Sequence, residues 1–175
     1  MNTGQMMLTI FGLMLLSTII LRMNTSYYRA STDVNRNSYD VMAVSLATSY
    51  FEEIKRKAYD EKTITSAASS TSGFSSSLGP ESGEFRSASS NLINANNFDD
   101  VDDFNGDSLY TQVPSGSELP GAVYKIKCSV AYFSSSSNST TTIPQWSKKI
   151  TVTVSGSAMT NPVTLSTIFS YWKFR

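Results

Sequence analysis

The first 21 residues of the chain contain no charged side chain, and the first charge is Arg22. Residues 6–21 are apolar except for Thr9, Gly12, Ser17 and Thr18. At about 1.5 Å per residue, a 21-residue helix just reaches across a hydrocarbon core of about 30 Å. The segment therefore has the length and composition of a membrane span.

Two ordinary explanations of this segment fit poorly. A secretory signal peptide begins with basic residues and ends at a small-residue cleavage site, whereas "MNTGQ" precedes the apolar run and "RMNTSYYRA" follows it. A simple anchor with Arg22 and Arg29 after the span would place the rest of the chain in the cytoplasm. That remainder is rich in serine and threonine, which is typical of an exported surface. A basic leader removed before Met1 would reconcile the two.

The next feature is an interval without helix breakers. No glycine or proline occurs between Gly12 and Gly73, which predicts one continuous helix from about residue 2 to 58, with any break near Gly12. Apolar residues recur along residues 22–60 at helical spacing, which predicts a buried stripe on one face. The stripe consists of Met23, Tyr27, Ala30, Val34, Val41, Val44, Phe51, Ile54 and Ala58.

Three C-terminal segments have the character of β-strands. "AVYKIKCSVAYFS" and "SKKITVTVSG" alternate apolar and polar residues, and "NPVTLSTIFSYWKF" is rich in β-branched and aromatic residues. The alternation slips near Ser166 and Thr167, which predicts a bulge. Linkers of about 10 to 15 residues join the three segments and favour an antiparallel meander. Cys128 falls on the apolar face of the first segment, so we expect it to be a buried hydrophobic residue.

These segments together predict an α+β fold. A long N-terminal α-helix, hydrophobic in its first half and amphipathic in its second, packs on a small C-terminal antiparallel β-sheet. We expect the hydrophobic half over residues 1–25 and the amphipathic half over 26–60. A connecting loop region rich in serine and aspartate follows over 61–120, and the sheet occupies 121–175.

The composition limits the catalytic and binding sites that the chain can contain. Lysine and arginine total 14, as do aspartate and glutamate, so no general attraction to nucleic acid is indicated. The chain has no histidine and one cysteine, which excludes a Ser-His-Asp triad, a Cys-His pair and a histidine-containing zinc site within it. We expect no enzymatic activity, no cofactor and no catalytic residues.

One acidic stretch, "DDVDDFNGD" over residues 99–107, has an oxygen-rich composition that suits calcium. An EF-hand alignment on Gly106 fails, because it places Val101 first and Gln112 twelfth. A solvated turn held by Asx-type backbone hydrogen bonds is the favoured interpretation, and a calcium site is the alternative. We therefore assign no metal ligand from the sequence.

The architecture resembles that of a type IV pilin or a type II secretion pseudopilin. The segment "FDDVDDFNG" is also similar to a segment in pilins of the mannose-sensitive haemagglutinin pilus group. The resemblance implies that a prepilin peptidase removes a basic leader and that assembly machinery transfers subunits from the inner membrane. It further implies a homo-oligomeric helical filament at the bacterial cell surface, with Met1, Gln5, Leu8, Gly12, Leu13, Leu16 and Ile20 in its core.

The sequence departs from the family pattern at one functional position. Pilins carry a glutamate at the fifth mature position, where this chain has Gln5 if Met1 is the mature N-terminus. Cleavage after Gly4, or an unprocessed Met1, are the alternatives. Two functional alternatives to a filament subunit also remain open: a minor pilin or pseudopilin of a secretion system, and a single-span anchored binding domain that does not polymerise.

Overall fold

The computed structural model describes residues 2–86, 95–96, 98–113 and 122–171, which form two compact units, Met1–Tyr39 and Asp40–Arg175. We call these the N-terminal unit and the C-terminal unit. Helix α1 runs from Thr3 to Lys55 and contributes residues to both. The predicted continuous helix is confirmed, including its passage through Gly12, and it ends three residues before the predicted position 58.

The N-terminal unit is helical throughout its described length after residue 2, and all of residues 2–37 are exposed. Its apolar residues include Met23, Tyr27, Ala30 and Val34 of the predicted stripe, none of which is buried within this unit.

The C-terminal unit begins with the last part of α1 and continues through short elements into a sheet. Helix α2 spans Glu61–Thr65, and two short 3-10 turns span Thr71–Gly73 and Asp102–Phe104. The strands are β1 (Phe85–Arg86), β2 (Ala95–Asn96), β3 (Ser108–Gln112), β4 (Val123–Ser134), β5 (Ser139–Thr141), β6 (Ser147–Gly156) and β7 (Val163–Ser170).

The main sheet is antiparallel and has the order β3-β4-β6-β7, with the short β5 pairing with the end of β4. Strands β1 and β2 form a separate antiparallel pair. The three predicted strands correspond to β4, β6 and β7, which lie side by side, so the predicted α+β class and antiparallel meander are confirmed. Strand β3 was not predicted; it extends the sheet beyond β4.

Alternation along the strands places one face of the sheet in the core. On β4 the predicted inward residues Tyr124, Ile126, Cys128, Val130 and Tyr132 are all buried, which confirms the expected burial of Cys128. On β6 the buried set is Lys148, Ile150, Val152 and Val154.

The predicted bulge in the last strand is wrong. Strand β7 pairs with β6 in an unbroken register from Ser147 opposite Ser170 to Val154 opposite Val163. The apparent slip arises because Thr167 takes an inward position, whereas Ile168 faces outward with 51% of its surface exposed. The strand keeps its regular alternation of inward and outward residues. The apparent slip arises only because a polar residue occupies an inward position and an apolar residue an outward one.

The predicted helix stripe is correct in part. Phe51 and Ile54 are buried, but Val41 and Val44 are exposed. The buried face instead includes Ala43 and Ala47, spaced by four residues and fully buried. The small alanine side chains allow close approach of the helix backbone to the core, which a valine at these positions would prevent. Ala58 lies beyond the end of α1, where it forms a parallel bridge to Asp100.

Candidate functional site

The residues predicted to form a filament core lie on the N-terminal part of α1. Met1 lies outside the described residues, and the others, Gln5, Leu8, Gly12, Leu13, Leu16 and Ile20, are helical and exposed. At about 100° per residue these six positions fall within an arc of about 140° on one side of the helix.

The opposite side of this segment is equally apolar. Twelve large apolar side chains between residues 6 and 21 are each more than half exposed, and they surround the helix on all sides. Met14 and Leu21, for example, face away from Leu8 and Leu16. An all-round apolar helix differs from the one-sided helices that cover a soluble core, because it requires an apolar environment in every direction.

The threonine hydroxyls in and just after this segment are hydrogen-bonded within the helix. The hydroxyls of Thr9 and Thr18 donate to the carbonyl oxygens of Met6 and Leu15, each at 2.8 Å. The hydroxyl of Thr25 likewise donates to the carbonyl oxygen of Leu21 at 2.5 Å. These bonds remove the need for an external partner, so the threonines tolerate a nonpolar surrounding.

Helix α1 therefore qualifies as a candidate membrane span. It contains an 18-residue window that is long and apolar enough to cross a bilayer, and no residue of that window is buried in the structure.

The C-terminal unit holds a buried ionic network that sequence analysis did not identify. Lys148 on β6 is fully buried, and its Nζ lies 2.6 Å from Asp102 Oδ1 and 3.2 Å from Asp60 Oδ2. The ammonium also donates to the carbonyl oxygen of Tyr59 at 2.6 Å and lies 4.5 Å from the centroid of the Tyr59 ring. These contacts provide the compensation that a buried lysine requires.

Asp60 connects this network to the surrounding chain. It caps the N-terminus of α2 and accepts hydrogen bonds from the Ser75 backbone N–H, the Ser75 hydroxyl and the Tyr132 hydroxyl. Burial alone would raise the pKa of Asp60, but the charge of Lys148 and the Ser75 donors outweigh it and hold the pKa below its ordinary value. Asp60 is therefore an ionised, structural carboxylate.

The signal for this network was present in the sequence. Lys148 has the same parity as Ile150, Val152 and Val154, so strand alternation places it on the inward face. An inward lysine must find acidic partners, and the aspartate-rich stretch over 99–107 supplies one of the two.

The favoured interpretation of that stretch, a solvated turn held by Asx-type hydrogen bonds, is correct in its hydrogen bonds and wrong in its exposure, because Asp100, Asp102 and Asp103 are buried. Asp100 Oδ1 accepts from the backbone N–H of Asp102 at 2.7 Å and of Asp103 at 3.2 Å. Asp103 Oδ2 accepts in turn from the backbone N–H of Asp99 at 2.9 Å and of Asp100 at 3.0 Å. Two aspartates thus form the turn, and Asp102 is left to pair with Lys148.

A second acidic group lies beside the turn. Carboxylate oxygens of Glu84, Asp99 and Asp103 lie within 4.8 Å of one another, and so do those of Glu61, Glu81 and Glu84. Glu84 belongs to both triples. Burial, followed by the hydrogen bond and charge of neighbouring carboxylates, raises the pKa of Glu81 to about 8. Burial also raises the pKa of Asp103 to about 6, with the Glu84 carboxylate adding to the rise and two backbone donors opposing it.

No protein-family model, curated protein or solved structure matches the chain. The arrangement of a long N-terminal apolar helix followed by an antiparallel sheet is compatible with a pilin-like fold. Such a helix also allows membrane anchoring or polymerisation.

Proposed function

We propose that the chain is a structural subunit of an extracellular type IV pilus-like filament and that it polymerises through the N-terminal part of α1. The observation that carries this proposal is the apolar surface of residues 6–21, which surrounds the helix and is exposed in the isolated chain. At about 1 to 2 kcal/mol for each large apolar side chain, exposing this segment to water is very unfavourable.

Two environments shield these apolar side chains from water, one before assembly and one after it. Before assembly the segment lies in the inner membrane, where lipid surrounds it. After assembly, copies of the same segment from neighbouring subunits surround it in the filament core. Lipid tails are already apolar, so the transfer depends on close packing between helices. Gly12 has no side chain, so in such a core it would let a neighbouring helix approach the backbone of α1 closely.

The role of the C-terminal unit in this proposal is structural. Its network around Lys148 and its one-sided sheet provide a stable body that each subunit carries to the filament surface. We propose no enzymatic activity and no nucleic-acid partner. A prepilin peptidase and assembly machinery are partners by resemblance to pilins.

One observation favours a second candidate, a minor pilin or pseudopilin. At the position where pilins carry a charge-pairing glutamate, Gln5 supplies only a neutral amide. A subunit that attracts its neighbour less strongly is better suited to a few places in the filament than to its repeating body. A single-span anchored binding domain is the remaining alternative.

Electron microscopy of material sheared from cells that produce the full chain tests these candidates. Gold-labelled antibodies against the C-terminal unit should decorate long fibres along their whole length, and cells without the chain should lack these fibres. Label confined to fibre tips would favour the minor subunit. Label that remains in the membrane, with no labelled fibre, would overturn the filament proposal.

A further inference from the structure

Five carboxylates from three separate stretches of the C-terminal unit converge at one place. Glu61 begins α2, Glu81 and Glu84 bracket a turn, and Asp99 and Asp103 flank the start of the 3-10 turn at Asp102–Phe104. The turn is fixed internally, because the Glu84 N–H donates to the Glu81 carbonyl oxygen at 3.1 Å and the Glu81 N–H donates to Glu84 Oε2 at 2.9 Å.

The carboxylate oxygens of this group are as close together as the ligands of one shared cation. Calcium binds oxygen ligands at about 2.3 to 2.6 Å, so two ligands of one ion lie at most about 5 Å apart. The ligand oxygens of Glu84, Asp99 and Asp103 all meet this limit, since they lie within 4.8 Å of one another. Ionised carboxylates at this spacing repel one another, and a cation bound between them removes that repulsion.

Asp103 supplies a second, independent observation. Its side chain is 1% exposed, and its Oδ2 accepts two backbone N–H bonds. Its Oδ1 is buried and has no hydrogen-bond donor among the described residues. Asp100 Oδ2 and Asp102 Oδ2 are likewise buried without a described donor, but neither residue belongs to the carboxylate triples. Buried carboxylate oxygens are nearly always paired, so an unpaired one beside two further carboxylates favours a bound cation.

Among the side chains that the structure describes, no lysine or arginine forms an ion pair with Glu84, Asp99 or Asp103. The nearby Lys57 directs its Nζ to the carbonyl oxygen of Phe98 at 2.5 Å.

We infer that Glu84, Asp99 and Asp103 bind a calcium ion, with Glu61 and Glu81 completing its acidic surroundings. The donors are all oxygen, which excludes metals that prefer sulfur or imidazole ligands. Carboxylates from several segments suit the irregular, high coordination of calcium better than the strict octahedron of magnesium. The site differs from an EF-hand loop, because its ligands come from distant stretches and Asp100 and Asp102 are engaged in the turn and the Lys148 network.

The ion has a structural consequence. It joins the turn at 81–84, before the β1–β2 pair, to the turn at 99–103, after that pair. Binding to the folded unit alone therefore stabilises it, by an amount that grows with the logarithm of the calcium concentration once that exceeds Kd.

Isothermal titration of the full chain in detergent micelles, first stripped with EDTA, tests the inference. Calcium chloride should bind and raise the thermal unfolding midpoint of the C-terminal unit. Glu84→Gln and Asp103→Asn should each weaken calcium binding about tenfold or more, because each removes a ligand charge. Glu52→Gln, the same change on an exposed glutamate outside the group, should bind as the wild type does.

The outcomes separate clearly. Glu84 is half-exposed, so the Glu84→Gln variant should fold even if the Asp103→Asn variant does not. Circular dichroism of the two variants shows whether each is folded. Absence of calcium binding by the folded wild type, or undiminished binding by Glu84→Gln, would overturn the site. Magnesium chloride that binds as tightly as calcium would overturn the assignment to calcium. None of these results depends on whether the chain forms filaments.

Discussion

Lys148 Nζ lies 2.6 Å from Asp102 Oδ1, and both side chains are fully buried. This contact connects strand β6 to the 3-10 turn at Asp102–Phe104, and the second contact at 3.2 Å connects it to Asp60 at the start of α2. One lysine thus joins three separate elements of the C-terminal unit. Because the charges are desolvated, the network is stable only while each member keeps its partners.

Replacing Lys148 with methionine should destabilise the C-terminal unit by about 3 to 5 kcal/mol, because Asp60 and Asp102 would remain buried without a counter-charge. Urea unfolding followed by tryptophan fluorescence measures this, since Trp146 packs against Phe74 with ring centroids 5.1 Å apart.

Lys149→Met is the matched control. Lys149 is the next residue on β6, lies on the opposite face and is only half-buried. Its replacement should change the free energy of unfolding by less than about 1 kcal/mol. Equal changes in the free energy of unfolding for the two substitutions would show that the buried network makes no specific contribution to stability.

The position of the buried helix face gives the second prediction. Ala47→Leu should destabilise the C-terminal unit by about 1 to 3 kcal/mol, because Ala47 is fully buried and a larger side chain must displace its neighbours. Val44→Leu adds one methylene on the exposed face and should leave stability nearly unchanged. Urea unfolding of both variants shows which helix face contributes to the stability of the unit. A larger loss of stability for Val44→Leu would support the buried stripe predicted from the sequence.

These two sites show how far sequence reasoning reaches. Strand alternation correctly predicted the buried face of β4, and the same rule places Lys148 inward on β6. The helix was predicted from its lack of breakers, but its buried face was not. A search for large apolar residues selects Val41 and Val44, whereas close packing selects Ala43 and Ala47.

The carboxylate group is harder to predict, for a physical reason. Glu61, Glu84 and Asp103 are separated along the chain by about twenty residues each, so no local spacing marks them as neighbours. The turns that bring them together depend on tertiary contacts such as the bridge between Ala58 and Asp100. The sequence did indicate an oxygen-rich turn over 99–107, which supplies two of the ligands.

Gly156 gives the third prediction. It lies opposite Tyr124 in the β4–β6 pair, and a Cβ added there would lie 3.1 Å from the Tyr124 ring and 3.3 Å from the Val123 carbonyl oxygen. Because Tyr124 is fully enclosed in the core, it cannot move away without cost, and Gly156→Ala should destabilise the unit by about 1 to 3 kcal/mol. Ser155→Ala, which adds no atom, is the control. A thermal midpoint for Gly156→Ala equal to that of the control would contradict this account of the pairing.

The fourth prediction concerns the residue that departs from the pilin pattern. Gln5 is uncharged, so it contributes at most a hydrogen bond to a neighbouring subunit. Gln5→Ala should lower the yield of sheared fibres only a few-fold, and fibre yield should depend weakly on salt because no charge pair is involved. Fibre mass in shear preparations at low and high salt measures both effects. A steep loss of wild-type fibres in salt would indicate a charge pair elsewhere in the core.

The last prediction concerns the apolar helix itself. Leu16 is central in the arc formed by Leu8, Leu13 and Ile20, and it lies in a segment without charge. Leu16→Asp places a carboxylate where both lipid and packed helices exclude water, at a cost of about 2.5 to 3.5 kcal/mol in a bilayer. Every subunit of the filament would repeat that cost, so fibres should be absent while the C-terminal unit stays folded. Ile143→Asp, the same kind of change at an exposed position outside α1, should leave fibres intact. Electron microscopy of sheared material, with circular dichroism of the purified variants, measures both results. Normal fibres from Leu16→Asp would show that this face of the helix lies outside the filament core.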